Sequence, residues 1–407
     1  MTAAAAGASR AVEGEVREFV EGHVARQAPL DRECNLALWD AATGGGEEAQ
    51  ERSARARAAQ KRLHADPEGF RRIRAWRAGG EVRDPLLRRQ LVLLDRDFTA
   101  NQLAPEVIED LVRRASELEH LFHTFRSELH GERVSNNQIL DVLATERDSA
   151  ERRAAWEASK QIGPEVAERL RELVRRRNAA ARSLGFENAY RMDLHLQELG
   201  EGRLFGVLDE FRALTDEPFR RFRAEMDRES SARFGVPVEA LRPWHWEDPF
   251  AQEAPSSAGR VDLDALFRDH EPVELIAGFF RGIGLPVEEV LARSDLYERE
   301  GKDQHAFCLD MDHQGDVRIL CNLRRNEKWA GVLLHELGHA VYDFYVPAHL
   351  PYLLRSPAHT LSTEAIAMYM GRLTRDPAWL RDVVAAPLDE GEADDIRRQL
   401  RASMLIV

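Results

Sequence analysis

The chain has 407 residues, is 43% hydrophobic and carries a formal net charge of −14 at pH 7, so it can bury a large core. The negative charge argues against a nucleic-acid or anionic-membrane partner, because such partners need a basic surface that releases counterions. Three cysteines and the lack of a signal peptide or transmembrane segment favour a cytoplasmic protein.

The first half of the chain is predicted to be a stack of helices. Apolar residues recur at three- and four-residue spacing from residue 11 to about 230, as in LAPEVIEDLVRRASELEHLFHTFRSEL (103–129), and nothing there alternates with period two. Ser135 is predicted to cap a helix, with Gln138 three residues on. We predict a disordered start over residues 1–10 and one domain over 11–407, with 11–241 as its helical first lobe.

The second region, 261–407, follows an irregular segment rich in proline and aromatic residues, RPWHWEDPFAQEAPSSAGR (242–260). Its segments HAFCLDM (305–311) and DVRILCN (316–322) are predicted strands of a hairpin turning near Gly315. A two-residue turn would place Cys308 opposite Cys321, whereas a three-residue turn would pair Leu309 with Cys321. A helix is then predicted from near Glu327 to a point before Pro347.

That helix contains the motif HELGH. Its histidines, His335 and His339, are four residues apart and therefore lie on one helical face, where two ring nitrogens can bind a single zinc ion. Glu336 projects about 100° further round the helix, as a base acting on zinc-bound water should. Catalytic zinc usually takes three protein ligands and keeps one position open, so a further ligand is expected downstream.

The best candidate for the third zinc ligand is Glu364 in HTLSTEAIAMYMGRL (359–373). It is predicted to lie in the first turn of a second helix, capped by Thr360 or Ser362, where the helix dipole favours a carboxylate. The alternative is that the histidines are ordinary core residues. Zinc is favoured because burying two imidazoles and a carboxylate without partners costs several kcal/mol.

With these residues in place, the chain resembles the angiotensin-converting-enzyme-like zinc dipeptidyl carboxypeptidases, which are gluzincins, and more distantly the thimet oligopeptidase and oligoendopeptidase group. The order and spacing of GKDQHAFCLDMDHQGDVRILCN, LLHELGHAVYDFYV and RSPAHTLSTEAIAMYMG resemble that family most specifically, over about 297–373. The resemblance implies a mainly α, two-lobed zinc peptidase fold with a deep cleft and a small antiparallel β-hairpin beside the zinc helix.

The resemblance also implies substrate contacts in the segment QHAF. His305, thirty residues before the first zinc histidine, corresponds to a substrate-binding histidine of the converting-enzyme relatives. An extended peptide could pair with this strand through its backbone, with Ala306 and Cys308 supplying main-chain groups. The predicted ligands and base are therefore joined by three substrate-binding residues.

The sequence departs from the family pattern in two places. The family's C-terminal segment, which supplies a tyrosine that stabilises the oxyanion, is expected to be absent, so a partner chain that completes the cleft is a possible requirement. Met368 stands where converting-enzyme relatives have an aspartate that supports a zinc histidine, and Glu327, Asp343 or a backbone carbonyl is expected to replace it.

These features predict a cytoplasmic zinc metallopeptidase, either a dipeptidyl carboxypeptidase or an oligopeptidase, that acts on short peptides. Its zinc-bound water would be activated by Glu336. The alternative is a zinc-binding but catalytically incomplete chain, which would be half of a split peptidase or a truncated binding module. A helical scaffold without metal is the third hypothesis.

Overall fold

The computed structural model describes residues 3–250 and 261–406, and within them the chain is mainly helical, which confirms the predicted fold class. The helices are α1 (Ala3–Ala42), α2 (Gly46–Leu63), α3 (Pro67–Gly79), α4 (Pro85–Asn101), α5 (Pro105–Thr124), α6 (Asn136–Thr145), α7 (Ser149–Ser159), α8 (Ile162–Ser183), α9 (Ala189–Leu196), α10 (Glu201–Phe234), α11 (Leu263–Phe267), α12 (Pro272–Gly282), α13 (Glu288–Arg293), α14 (Glu327–Phe344), α15 (Thr360–Gly371), α16 (Pro377–Asp382) and α17 (Glu390–Ile406). The strands are β1 (Ser127–Leu129), β2 (Glu132–Val134), β3 (Phe307–Asp310) and β4 (Val317–Leu320).

The N-terminal helices pack around their own apolar core. Val16 and Val20 of α1 contact Ile73 of α3 and Leu91 and Phe98 of α4, and all five side chains are buried. Helix α1 begins at Ala3, so the disordered start predicted for residues 1–10 is helical from that residue on.

A short hairpin that the sequence prediction missed interrupts the helical first half. Strands β1 and β2 pair antiparallel with Ser127 opposite Val134, and the chain turns through His130 and Gly131 at φ 55° and 84°. Two consecutive residues with positive φ are the signature of a tight type I′ turn. The strands have three residues each, too few for a period-two pattern to be recognised.

Local capping explains where several helices begin. At α6, the Ser135 hydroxyl accepts a hydrogen bond from the Gln138 N–H (3.3 Å), and the Gln138 side chain accepts one from the Ser135 N–H (2.8 Å). The predicted capping box is thereby confirmed. Helix α14 is capped by Asn326, whose side chain accepts from the Trp329 N–H, and its range Glu327–Phe344 agrees with the prediction.

A second apolar core surrounds α14. Ile276 and Phe280 of α12 and Leu334 and Leu337 of α14 are fully buried in it, with the hairpin residue Ile319. Of the predicted irregular segment, residues 243–245 form a short 3-10 helix, and residues 251–260 lie outside the described residues. The division into lobes at 241 and 261 remains a prediction.

The hairpin β3–β4 exists as predicted, but neither proposed register is right. Cys308 lies opposite Ile319 and Leu309 opposite Arg318, because the loop between the strands is longer than either proposed turn. The Met311 N–H donates to the Asp316 carbonyl and closes a four-residue loop. Sequence alternation does not fix this length, because it is the turn that sets the register.

The hairpin lies between α1 and α14. The side chains of Ala306 and Cys308 pack toward the core that contains α14, whereas Phe307 and Leu309 pack with Trp39 of α1. This alternation is the ordinary two-residue period of a strand. It brings the predicted substrate strand alongside the predicted zinc helix. Within the part of the chain that the structure describes, no helix is both long and apolar enough to cross a membrane.

Candidate metal centre

Helices α14 and α15 approach each other at glycines. A Cβ added to Gly338 would lie 2.7 Å from the Cα of Ala367, and one added to Gly371 would lie 3.2 Å from the Gly331 carbonyl oxygen and 3.3 Å from the His335 Cβ. Carbon atoms normally approach to 3.5–4.0 Å, so the crossing at Gly338 is closed to any larger residue. The glycine inside HELGH therefore lets α15 lie directly against the motif.

This crossing brings the three predicted zinc ligands together. The Nε2 atoms of His335 and His339 lie 3.2 Å apart, and the carboxylate oxygens of Glu364 lie 3.6 Å from the first and 3.7 Å from the second. Among the described residues, these three form the one group of His, Cys, Asp and Glu side chains close enough to share a metal ion.

The donor set fits a zinc ion. Ligand atoms about 2.05 Å from a tetrahedral zinc are separated by about 3.3 Å, which is close to the separations found between these three side chains. Burial lowers the pKa of both His335 and His339. The neutral imidazole is the form that binds a metal, so the environment already favours the required protonation state.

Glu336 lies on the same helix but points into the protein. It is 7% exposed, and burial, followed by the charge of Glu364, raises its pKa to about 7. A carboxyl group with a pKa near neutrality can both accept and release a proton at physiological pH. Its role as a base acting on metal-bound water remains a prediction.

Glu364 does not lie where the sequence predicted within its helix. Helix α15 begins at Thr360 and is capped by His359, whose Nδ1 accepts from the Leu361 N–H at 3.0 Å. The proposed caps Thr360 and Ser362 are therefore wrong, and Glu364 is one residue beyond the first turn. The imidazole took the capping role that is usually assigned to hydroxyl, amide and carboxylate groups.

Glu327 does not support a zinc histidine. Its carboxylate accepts from the Thr374 hydroxyl (2.7 Å) and from Nε (3.0 Å) and Nη2 (3.2 Å) of Arg375. These bonds tie the start of α14 to the segment that follows α15. Glu327 therefore holds together the two helices that carry the candidate ligands.

Asp343, the other residue proposed as a support, faces a different neighbourhood. Its Oδ1 is buried and has no hydrogen-bond partner among the described residues. Burial and the charge of Asp310 raise its pKa to about 7, an effect that the nearby His313 partly offsets. Asp343 is thus a partly buried carboxyl group one turn beyond His339, and its Oδ1 has no partner in the part of the chain that the structure describes.

The predicted substrate residues lie at the start of β3. His305 is exposed and Ala306 precedes the strand, which begins at Phe307. The backbone N–H and C=O groups of Phe307 and Leu309 point toward β4. Because these groups alternate along a strand, those of Ala306 and Cys308 point to the opposite side. Among the described residues no strand pairs with that side, which leaves an open edge for an extended chain.

A buried lysine that the sequence prediction did not single out, Lys302, anchors the segment that leads into β3. The Lys302 ammonium donates to the carbonyls of Asp295 (3.0 Å), Tyr297 (2.8 Å) and Cys321, and to the Asp295 carboxylate (2.9 Å). Its side chain is fully buried. The sequence GKD (301–303) before QHAF could have suggested a lysine with a structural role, because the ammonium group of a lysine next to a strand can donate to nearby backbone carbonyls.

A cavity of about 640 Å³ adjoins this segment. It is lined by the end of α1, by α2 and α5, and by residues 298–304, which lead directly into His305. The candidate ligands on α14 and α15 do not line it. The deep cleft predicted around the zinc helix is therefore distinct from this cavity, and it remains a prediction.

The described layout is a mainly helical protein with HELGH on one helix, a carboxylate of the next helix beside its histidines, and an open strand edge alongside. Comparison with known families gives a second line of support. The sequence model of the angiotensin-converting enzyme family, a peptidase family, matches residues 10–204. The chain is therefore similar to this family, whose peptidases depend on zinc and act on peptides.

The matched range ends before the candidate site. The most specific resemblance over 297–373 thus remains a prediction that rests on its own residues. No curated protein matches the chain significantly. The comparisons give no support for a partner chain that completes the cleft.

Proposed function

We propose that this chain hydrolyses peptide bonds in short peptides, with a zinc ion held by His335, His339 and Glu364. The convergence of these three side chains at 3.2–3.7 Å is the observation that carries the proposal. When bound, zinc would supply a Lewis acid that acidifies water and polarises the scissile carbonyl.

Glu336 would move the protons of the reaction. Its carboxylate would accept a proton from the attacking water and deliver it to the leaving amine. The buried surroundings of Glu336 also exclude bulk water, which strengthens its electrostatic effect on the reacting groups.

The open edge of β3 would hold the substrate. An extended peptide that adds to this edge would receive hydrogen bonds from the main chain of Ala306 and Cys308, while the exposed His305 would donate to a substrate carbonyl. Binding through the main chain is independent of the peptide's side chains. The edge therefore suits varied short peptides, and both dipeptidyl carboxypeptidase and oligopeptidase activity agree with it.

The test combines zinc content with hydrolysis of an internally quenched peptide. The proteins compared are the wild type, Glu336→Gln, Glu364→Ala and Glu274→Gln, the last an exposed glutamate on α12 that serves as the matched control. We expect one zinc per chain in the wild type, Glu336→Gln and Glu274→Gln, and faster loss of zinc to a chelator in Glu364→Ala.

Hydrolysis should fall by a factor of about 10²–10⁴ in Glu336→Gln and stay unchanged in Glu274→Gln. Zinc without Glu336-dependent turnover would refute peptidase activity and support the alternative of a zinc-binding module. Absence of zinc from protein purified without chelator would refute both.

A further inference from the structure

We propose that Asp343 recognises a positively charged group of the peptide substrate, either a lysine or arginine side chain or the α-ammonium group. This inference rests on the proposed function, because it assigns a specificity determinant to the proposed peptide-binding groove between α14 and the open edge of β3. The occupant is defined by its charge and by its ability to donate hydrogen bonds to a carboxylate.

Asp343 lies on the helical stripe that faces the substrate strand. It follows Glu336 by seven residues and His339 by four, so the three side chains lie on one side of α14. The Cys308 side chain of the substrate strand packs against the core to which α14 belongs, so this strand and α14 lie side by side. Asp343 therefore borders the same groove as the proposed base.

Asp343 has a carboxyl oxygen that is not satisfied by the described residues. Its Oδ1 is buried and has no hydrogen-bond partner among the described residues, although a buried carboxylate oxygen normally has one. The His313 imidazole pairs with Asp310, with 2.9 Å between its Nδ1 and the Asp310 Oδ2. The residue as a whole is partly exposed.

The Asp310 end of the β3 edge limits how far a bound peptide can extend. The Asn35 side chain of α1 donates to the Asp310 carbonyl at 2.9 Å, and this bond occupies the next outward-facing acceptor after Cys308. A peptide on the edge thus ends or turns beside Asp310 and Asp343. Seven helical residues span about 10.5 Å, or about three residues of extended peptide, so the cation should lie two or three residues from the scissile bond.

The experiment uses binding as well as turnover, so that it does not depend on catalysis. Blocked, quenched octapeptides carry one lysine or one glutamine at each position on both sides of the scissile bond, and a second pair differs only in a free or acetylated N-terminus. Each peptide is titrated against Glu336→Gln, with and without Asp343→Asn, and is assayed for kcat/KM with wild type and Asp343→Asn. Asp382→Asn, which removes an exposed carboxylate on α16, is the matched control.

We expect the wild-type groove to prefer the charged peptide by about tenfold or more at one position, and Asp343→Asn to abolish that preference while leaving the neutral peptide unchanged. Asp343→Glu should retain part of it, and Asp382→Asn all of it. The lysine scan and the N-terminal pair distinguish a side chain from the α-ammonium group.

The same preference in Asp343→Asn, or no preference in the wild-type groove, would overturn the inference. Lack of hydrolysis by the wild type would overturn the proposed function alone, because the binding comparison needs no turnover.

Discussion

Replacing Gly338 by alanine should disrupt the candidate metal centre without touching any of its ligands. The added methyl group would lie 2.7 Å from the Ala367 Cα and 3.2 Å from the Ala367 nitrogen, so α14 and α15 must separate by about 1 Å to restore normal contact. Overpacking of this kind costs about 1–3 kcal/mol, of which the better helix propensity of alanine returns about 1 kcal/mol.

The larger effect is expected on zinc. Metal–ligand distances tolerate about 0.2 Å, so a shift of about 1 Å between Glu364 and the two histidines should sharply weaken zinc binding. Activity should fall by a factor on the order of 10², as is typical of a misplacement of this size. The measurements are zinc retention against a chelator, urea unfolding and hydrolysis of the quenched peptide.

Gly331→Ala is the matched control on the same helix. Its added methyl group would meet the Gly371 oxygen at 3.4 Å and the Thr374 hydroxyl at 3.5 Å, which are ordinary contacts. We expect this protein to keep its zinc and activity and to be stabilised by at most about 1 kcal/mol. If Gly338→Ala matches it in zinc retention and activity, then the close helix crossing is not what places Glu364.

Three further predictions concern stability, each measured by urea unfolding. Burial lowers the pKa of His23 and His64 from 6.5 to about 4, so below pH 6.5 these imidazoles bind protons in the unfolded chain but not in the folded chain. The free energy of unfolding should therefore fall between pH 6.5 and 4 by up to about 3 kcal/mol per imidazole. The fall should be less steep in His23→Leu. Glu327→Gln should cost about 2 kcal/mol, because Arg375 loses its carboxylate, whereas equal stability would show that this pair contributes nothing. Lys302→Met should cost about 3 kcal/mol, because it removes the buried ammonium that donates to four acceptors, and an unchanged midpoint would contradict that role.

Features with a local cause were predictable. The capping box at Ser135 and the bounds of α14 follow from neighbouring residues, because caps and prolines act within one turn. The β1–β2 hairpin escaped prediction because its strands are too short to show a period. The register of β3 and β4 escaped it because a loop one or two residues longer displaces every cross-strand pair.

The sequence by itself determined which side chains share a face of α14. The 3.6-residue period fixes His335 and His339 on one side, with Glu336 further round, whatever the surroundings. Their meeting with Glu364 was decided by tertiary structure, because it depends on how closely two helices separated by a loop can pack at Gly338. Tertiary structure also decided that the Asp343 Oδ1 is buried without a hydrogen-bond partner among the described residues, because such a partner can come from any part of the chain.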